Sequence, residues 1–156
     1  MLDNDLLVLY DHPMSDSAQP ASTSSKKTIL LIDDDRYNRD FYQELLQDHG
    51  YVVDTAENGQ VGFDKMNTTA HYDLVLLDIV MPTKDGMETL TDLKERPDIK
   101  EKHGPVYMLS ALGQDSVLEN AKKLGAAGYI VKTDITPDQF LRKIAELLPN
   151  APTSQV

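Results

Sequence analysis

Apolar residues recur along this chain in two alternating patterns. Short uninterrupted runs cover Thr28–Asp33, Tyr51–Ala56, Leu74–Asp78, Val106–Ser110 and Gly128–Val131. Runs of that length with little polar alternation predict strands buried on both faces, as in a parallel sheet. Between them lie stripes at helical spacing. Arg36–His49 sets Phe41, Tyr42, Leu45, Leu46 and His49 on one side, and Gly50 ends it. Gln60–Asn67 is a weaker helix, interrupted by Gly62, and Met87–Arg96 carries Met87, Leu90 and Leu93 before Pro97. Ser116–Leu124 carries Val117, Leu118, Ala121 and Leu124. Pro137–Leu148 carries Phe140, Leu141, Ile144, Leu147 and Leu148, with Thr136 suited to the N-cap and Pro137 to the first helical position.

Five strand–helix units in about 120 residues predict one doubly wound α/β sheet. Right-handed crossovers put helices on both of its faces. Residues 11–27 are rich in Ser, Pro, Ala and Thr and lack apolar periodicity. Residues 1–26 are therefore expected to be a flexible leader, 27–148 the domain, and 149–156 a tail too short for a second domain. Met14 offers a second candidate start, and Leu6–Tyr10 a short docking segment.

Composition narrows the function. The chain has 26 acidic and 15 basic residues, a formal net charge of −11. Nucleic acid and anionic membrane both attract basic surface, so neither is an expected partner. There is no cysteine, which excludes disulfides, thiolate metal sites and cysteine catalysis. No apolar stretch approaches the ~20 residues of a membrane span. The first residues, with Asp3 and Asp5, do not resemble a secretory signal, so the expected compartment is the cytoplasm.

The strand ends carry the chemistry. Asp33 and Asp34 follow the first run, Asp78 ends the third, Ser110 ends the fourth and Lys132 follows the fifth. In an open parallel sheet these ends share one edge, where ligands bind. Clustered carboxylates repel one another, and a hard divalent cation relieves that repulsion. Asp33 and Asp34 suit Mg²⁺, and Asp78 can ligate it while attacking a phosphoryl group as a nucleophile. The Ser110 hydroxyl and Lys132 ammonium would neutralise the phosphoryl oxygens. Asp35 reads instead as a charge at a helix N-terminus. His12, His49, His71 and His103 lie far apart in sequence without metal-ligand spacing and read as structural or solvated. Asp54 has no assigned role.

Four motifs in order resemble the receiver domain of two-component response regulators. They are Leu31-Ile32-Asp33-Asp34-Asp35, Leu77-Asp78-Ile79-Val80-Met81-Pro82 with Asp85-Gly86, Leu109-Ser110-Ala111, and Gly128-Tyr129-Ile130-Val131-Lys132. From Asp34 to Asp78 is 44 residues, from Asp78 to Ser110 is 32, and from Ser110 to Lys132 is 22. The resemblance implies a flavodoxin-like sheet of order 2-1-3-4-5. It implies Asp78 as phosphoacceptor, Asp33, Asp34 and the Val80 backbone carbonyl as further Mg²⁺ ligands, and Lys132 as the cation pairing with the phosphoryl group. Ser110 and Tyr129 become switch residues, and Val80 and Leu112 tune dephosphorylation. Where the family usually has proline after the lysine, in a cis peptide, this chain has Thr133. The Lys132–Thr133 bond is then either cis at a cost of ~2.5–4 kcal/mol or trans.

The expected function is a stand-alone phosphorylation switch, not an enzyme toward other substrates. It would take its phosphoryl group from a histidine kinase or phosphotransfer protein and act on a downstream protein through the face around Leu118 to Leu148. It would be a monomer or a phosphorylation-dependent dimer. A degenerate receiver, binding partners without phosphorylation, is the competing reading, and the intact Asp33, Asp34, Asp78, Ser110 and Lys132 set argues against it. A flavin binder would need a Gly/Ser/Thr-rich phosphate cradle where this chain has three aspartates. A haloacid-dehalogenase-like phosphatase would need an acid two residues after Asp78, where Val80 stands.

Overall fold

A computed structural model describes residues 25–151. The leader expected over residues 1–26 lies almost wholly outside the described residues, as does most of the tail. Eleven elements follow in order: β1 Thr28–Ile32, α1 Arg36–Asp48, β2 Val52–Ala56, α2 Gly59–Thr68, β3 Leu74–Leu77 and α3 Gly86–Glu95, then α4 Pro97–Lys100, β4 Val106–Ser110, α5 Asp115–Lys123, β5 Gly128–Val131 and α6 Pro137–Leu147. The strands form one sheet of order β2-β1-β3-β4-β5, parallel throughout. This is the doubly wound, flavodoxin-like order.

Alternation along β1 divides the core. Ile29 and Leu31 point to one face with Leu74 and Leu76, where Tyr42 and Leu46 of α1 and Phe140 and Ile144 of α6 cover them. Leu30 and Ile32 point to the other face with Val75 and Leu77, under Met66 of α2, Leu90 and Leu93 of α3, Ile99 of α4 and Ala121 of α5. All four residues of β3 are buried, as a central strand covered on both faces requires.

Several boundaries differ from the sequence reading by a residue. β1 and β3 end before their aspartates, although the Asp33 amide still donates to Ala56 O and the Asp78 amide to Ile32 O. Pro97 does not simply end a helix. It opens the one-turn α4, whose Ile99 is fully buried. Proline is favoured there because its missing N–H is unpaired in a first turn anyway. Gly62 does not interrupt α2 either; a Cβ there would lie 2.3 Å from Ile32 Cδ1, so glycine lets the helix sit close on β1. The segment after β5 continues as a 3₁₀ turn over Lys132–Asp134, and no peptide bond among the described residues is cis. Lys132 is therefore presented from a trans bond. α6 carries the expected cap in full: Thr136 and Gln139 bond each other's backbone amides, with Pro137 in the first turn.

Candidate active site

The acidic crevice is built at the C-terminal ends of β1 and β3. These two central strands pair in register, Ile32 beside Leu77, so the residues that follow are neighbours. One carboxylate oxygen each from Asp33, Asp34 and Asp78 lie within 4.8 Å of one another. Asp33 and Asp78 are buried and Asp34 is exposed. Three hard oxygen donors with one open side fit Mg²⁺, which keeps several waters in its shell. The Asp35 amide donates to Asp33 Oδ1 at 2.9 Å. Asp35 itself caps α1, accepting from the Asn38 amide at 2.9 Å, in line with its reading as a helix N-terminal charge.

Asp78 is held by the loop that follows it. Its Oδ1 accepts from the Ile79 amide at 2.7 Å. Gly86 packs against its backbone so closely that a Cβ would meet the Asp78 carbonyl oxygen at 2.2 Å. The Gly86 amide donates to Ile79 O at 2.8 Å, and the Asp85/Glu88 capping box anchors α3 behind that loop. Burial pushes the Asp78 carboxyl up to about 6, against the nearby Lys132 charge, which lowers it; Asp33 and Asp34 push it further up.

Lys132 pairs with Asp33 Oδ2, and its Nζ also lies 3.6 Å from Asp78 Oδ2. It thus bridges the carboxylates that follow β1 and β3. Ser110 is buried at the end of β4, its Oγ accepting from the Leu112 amide at 3.2 Å. A hydroxyl that accepts there keeps its own proton free to donate. Tyr129 is exposed on the edge strand β5, with the Lys122 ammonium 5.4 Å from its ring centre. Val80 and Leu112, in the loops after β3 and β4, expose 61% and 38% of their surface.

Other residues fall into place away from the crevice. His71 and His103, distant in sequence, stack with ring centres 6.4 Å apart. They are neighbours after all, because the loops entering β3 and β4 run side by side. His103 accepts from the Tyr72 amide and donates to Met66 O, a structural role. Asp54 bonds the Lys65 ammonium and the Tyr72 hydroxyl, tying β2 to α2 and to the approach to β3. The apolar stripe of the last helix faces the core, and so does Leu118. What the Leu118–Leu148 face offers outward is a groove of about 610 Å³ bordered by Tyr129, Ile135, Gln139, Arg142, Lys143 and Glu146.

Sequence reasoning missed Arg39 and Lys122. Arg39 Nη1 donates to the carbonyls of Asp33 and Asp34. A signal for it existed: a cation near a helix N-terminus opposes the macrodipole, so it needs another reason to be there.

The parallel 2-1-3-4-5 sheet defines a flavodoxin-like α/β fold with an acidic crevice at its C-terminal edge. The family model of the response regulator receiver domain matches residues 29–145, and the chain belongs to that family. It is 37% identical over 106 residues to the chemotaxis protein CheY of Halobacterium salinarum, covering 68% of this chain and 84% of that protein. It is 32% identical over 128 residues to the transcriptional regulatory protein ResD of Bacillus subtilis, covering 82% of this chain but 50% of ResD. The chain thus spans about half the length of that regulator. Among solved structures, CheY4 of Vibrio cholerae aligns with TM-score 0.70 at 27% identity, covering 80% of this chain and all of that one. The response regulator TrrA of Thermotoga maritima, in complex with Mg(2+)-BeF, aligns with TM-score 0.66 at 35% identity, covering 78% of this chain and 99% of its own. No helix among the described residues is long and apolar enough to cross a membrane.

Proposed function

We propose that this receiver is a phosphorylation switch that takes a phosphoryl group onto Asp78 from a histidine kinase or phosphotransfer protein. The observation that carries the reading is the Asp78 carboxylate, set within 4.8 Å of the Asp33 and Asp34 oxygens and 3.6 Å from the Lys132 ammonium. The kinship with a regulator solved in complex with Mg(2+)-BeF supports it. Asp33, Asp34 and Asp78 would hold Mg²⁺, with the Val80 carbonyl as a further ligand by family resemblance. Bound there, the ion would neutralise phosphoryl charge as the new bond forms.

This chain's own residues do the rest. An Asp78 carboxylate oxygen attacks phosphorus, and the bond from phosphorus to the donor's histidine nitrogen breaks as the imidazole leaves. Lys132 pairs with a phosphoryl oxygen, a charge-assisted contact that exchanges with its present bond to Asp33. Ser110 donates its free proton to another oxygen. Because its Oγ holds the Leu112 amide, the shift of Ser110 carries that loop with it. Tyr129 then turns inward and changes the surface offered to a downstream protein along β5 and α6. We place this unit at residues 27–148 and infer that it acts on no other substrate.

Intact mass after incubation with Mg²⁺ and a small phosphodonor tests the reading. One phosphate should appear on the parent and none on Asp78→Asn. Equal labelling of both proteins would reject Asp78 as the acceptor.

A further inference from the structure

The acidic loop is held from behind by one guanidinium. Arg39 lies half-buried on α1, and its Nη1 donates to the Asp33 carbonyl at 2.8 Å and the Asp34 carbonyl at 2.9 Å. A single nitrogen thereby fixes two consecutive peptide planes. With both carbonyls committed to Arg39, the loop presents the Asp33 and Asp34 carboxylates to Asp78. The Asp35 amide, bonded to Asp33 Oδ1, locks the same turn from its other end.

No other duty explains this arginine. Among the described residues it makes no ion pair with a carboxylate, whereas its neighbour Arg36 pairs with Asp40 at 3.5 Å on the exposed side of the helix. Its place near the start of α1 runs against the helix dipole. Its always-charged guanidinium carries two N–H groups on that one nitrogen, one for each carbonyl.

We propose that Arg39 is a positioning residue for the divalent-cation site: it fixes the conformation of the Asp33–Asp34 loop and thereby sets cation affinity and phosphoryl acceptance at Asp78. This rests on reading the acidic crevice as that site.

Electrostatics and positioning make opposite predictions, which makes the proposal decidable. Removing a positive charge beside three carboxylates should tighten Mg²⁺ binding by charge alone. Removing a group that orients metal ligands should weaken it, commonly by about tenfold or more. Mg²⁺ is titrated into the parent, Arg39→Gln and Arg39→Lys, followed by the backbone amide resonances of Asp34 and Asp35. Hydrogen exchange of the Asp35 amide is measured separately in the metal-free proteins.

Arg39→Gln should bind Mg²⁺ about tenfold more weakly, and its Asp35 amide should exchange faster while the central strands keep their protection. Arg39→Lys should recover most of both, since an ammonium can still reach the carbonyls. Unchanged or tighter binding in Arg39→Gln overturns the proposal. So does faster exchange spread through the whole sheet, which would mark a general loss of structure. A parent that binds no Mg²⁺ overturns the cation-site reading instead, and the Asp35 exchange then decides by itself whether Arg39 orders the loop.

Discussion

The Lys122 ammonium lies 5.4 Å from the centre of the Tyr129 ring, so a cation from α5 rests against the residue that family resemblance makes the switch. Tyr129 is 39% exposed in this position. An exposed cation–π contact stabilises the outward ring by ~0.5–1 kcal/mol, about a two- to fivefold bias in a two-state equilibrium. Lys122→Gln should move the Tyr129 ring resonances part-way toward those of the phosphorylated parent, without any donor. Lys122→Arg should leave them in place. Ring resonances that stay at the parent's positions in Lys122→Gln would separate this lysine from the switch.

Asp78 carries a stability cost at neutral pH. Burial raises its folded carboxyl to about 6, above the ~3.9 of an unfolded chain. The sign follows from linkage: the folded state holds the proton longer, so stability present below about pH 4 is lost as pH rises to about 6. A shift of about two units corresponds to roughly 3 kcal/mol. Without divalent metal, Asp78→Asn should therefore melt higher than the parent above about pH 6 and converge with it near pH 4. Added Mg²⁺ should raise the parent's melting temperature more than the variant's. A variant no more stable than the parent at pH 7 would mean that Lys132 fully compensates the burial.

His103 should act in the opposite sense. Its Nδ1 accepts from the Tyr72 amide at 2.9 Å and its Nε2 faces Met66 O at 2.8 Å, which only the neutral Nε2–H tautomer satisfies. Burial pushes its pKa below the ordinary 6.5, helped by Lys102 and His71 and opposed by the Met66 bond. The folded state resists the proton, so the stability it contributes is full above about pH 6.5 and is lost as pH falls toward the folded value. Asp78 changes the other way in the same window, so the measurement belongs in the Asp78→Asn background. There the melting temperature should fall from about pH 7 to about pH 5, and His103→Asn should flatten that slope while costing about 1–3 kcal/mol at neutral pH. An unchanged slope would place the proton elsewhere.

The strands and most of the crevice could be read directly from the chain. Buried parallel strands are short apolar runs, and their polar successors fall on one sheet edge by topology alone. Asp33, Asp34, Asp78, Ser110 and Lys132 were legible for that reason. Arg39 and Lys122 were not, because their roles depend on where a long side chain lands after the helices pack. The stacking of His71 on His103 was hidden for the same reason: they stand 103 − 71 = 32 positions apart, and the pairing of β3 with β4 brings them together. Ile99 escaped because a proline reads as the end of a helix as readily as its beginning.

The lifetime of a phosphorylated Asp78 should be set by two apolar side chains. Hydrolysis needs a water in line behind phosphorus. Val80 and Leu112 stand two residues past Asp78 and Ser110, with 61% and 38% of their surface exposed. Neither side chain has a polar atom that could orient a water, and both can shield the phosphoryl group from one. The Leu112 amide is bonded to the Ser110 hydroxyl, so the proposed inward shift of Ser110 would carry Leu112 with it. That shift would bring the leucine side chain toward the phosphoryl group. Losing one water-positioning interaction of ~1.4 kcal/mol slows the step about tenfold. The parent should therefore lose its label slowly after donor removal, and Val80→Asn with Leu112→Glu should shorten the half-life about tenfold or more. Ser110→Ala should shorten it too, by freeing Leu112 from the inward movement while leaving its side chain intact. Equal decay of the parent and the Val80/Leu112 double variant would show that water reaches phosphorus by another route.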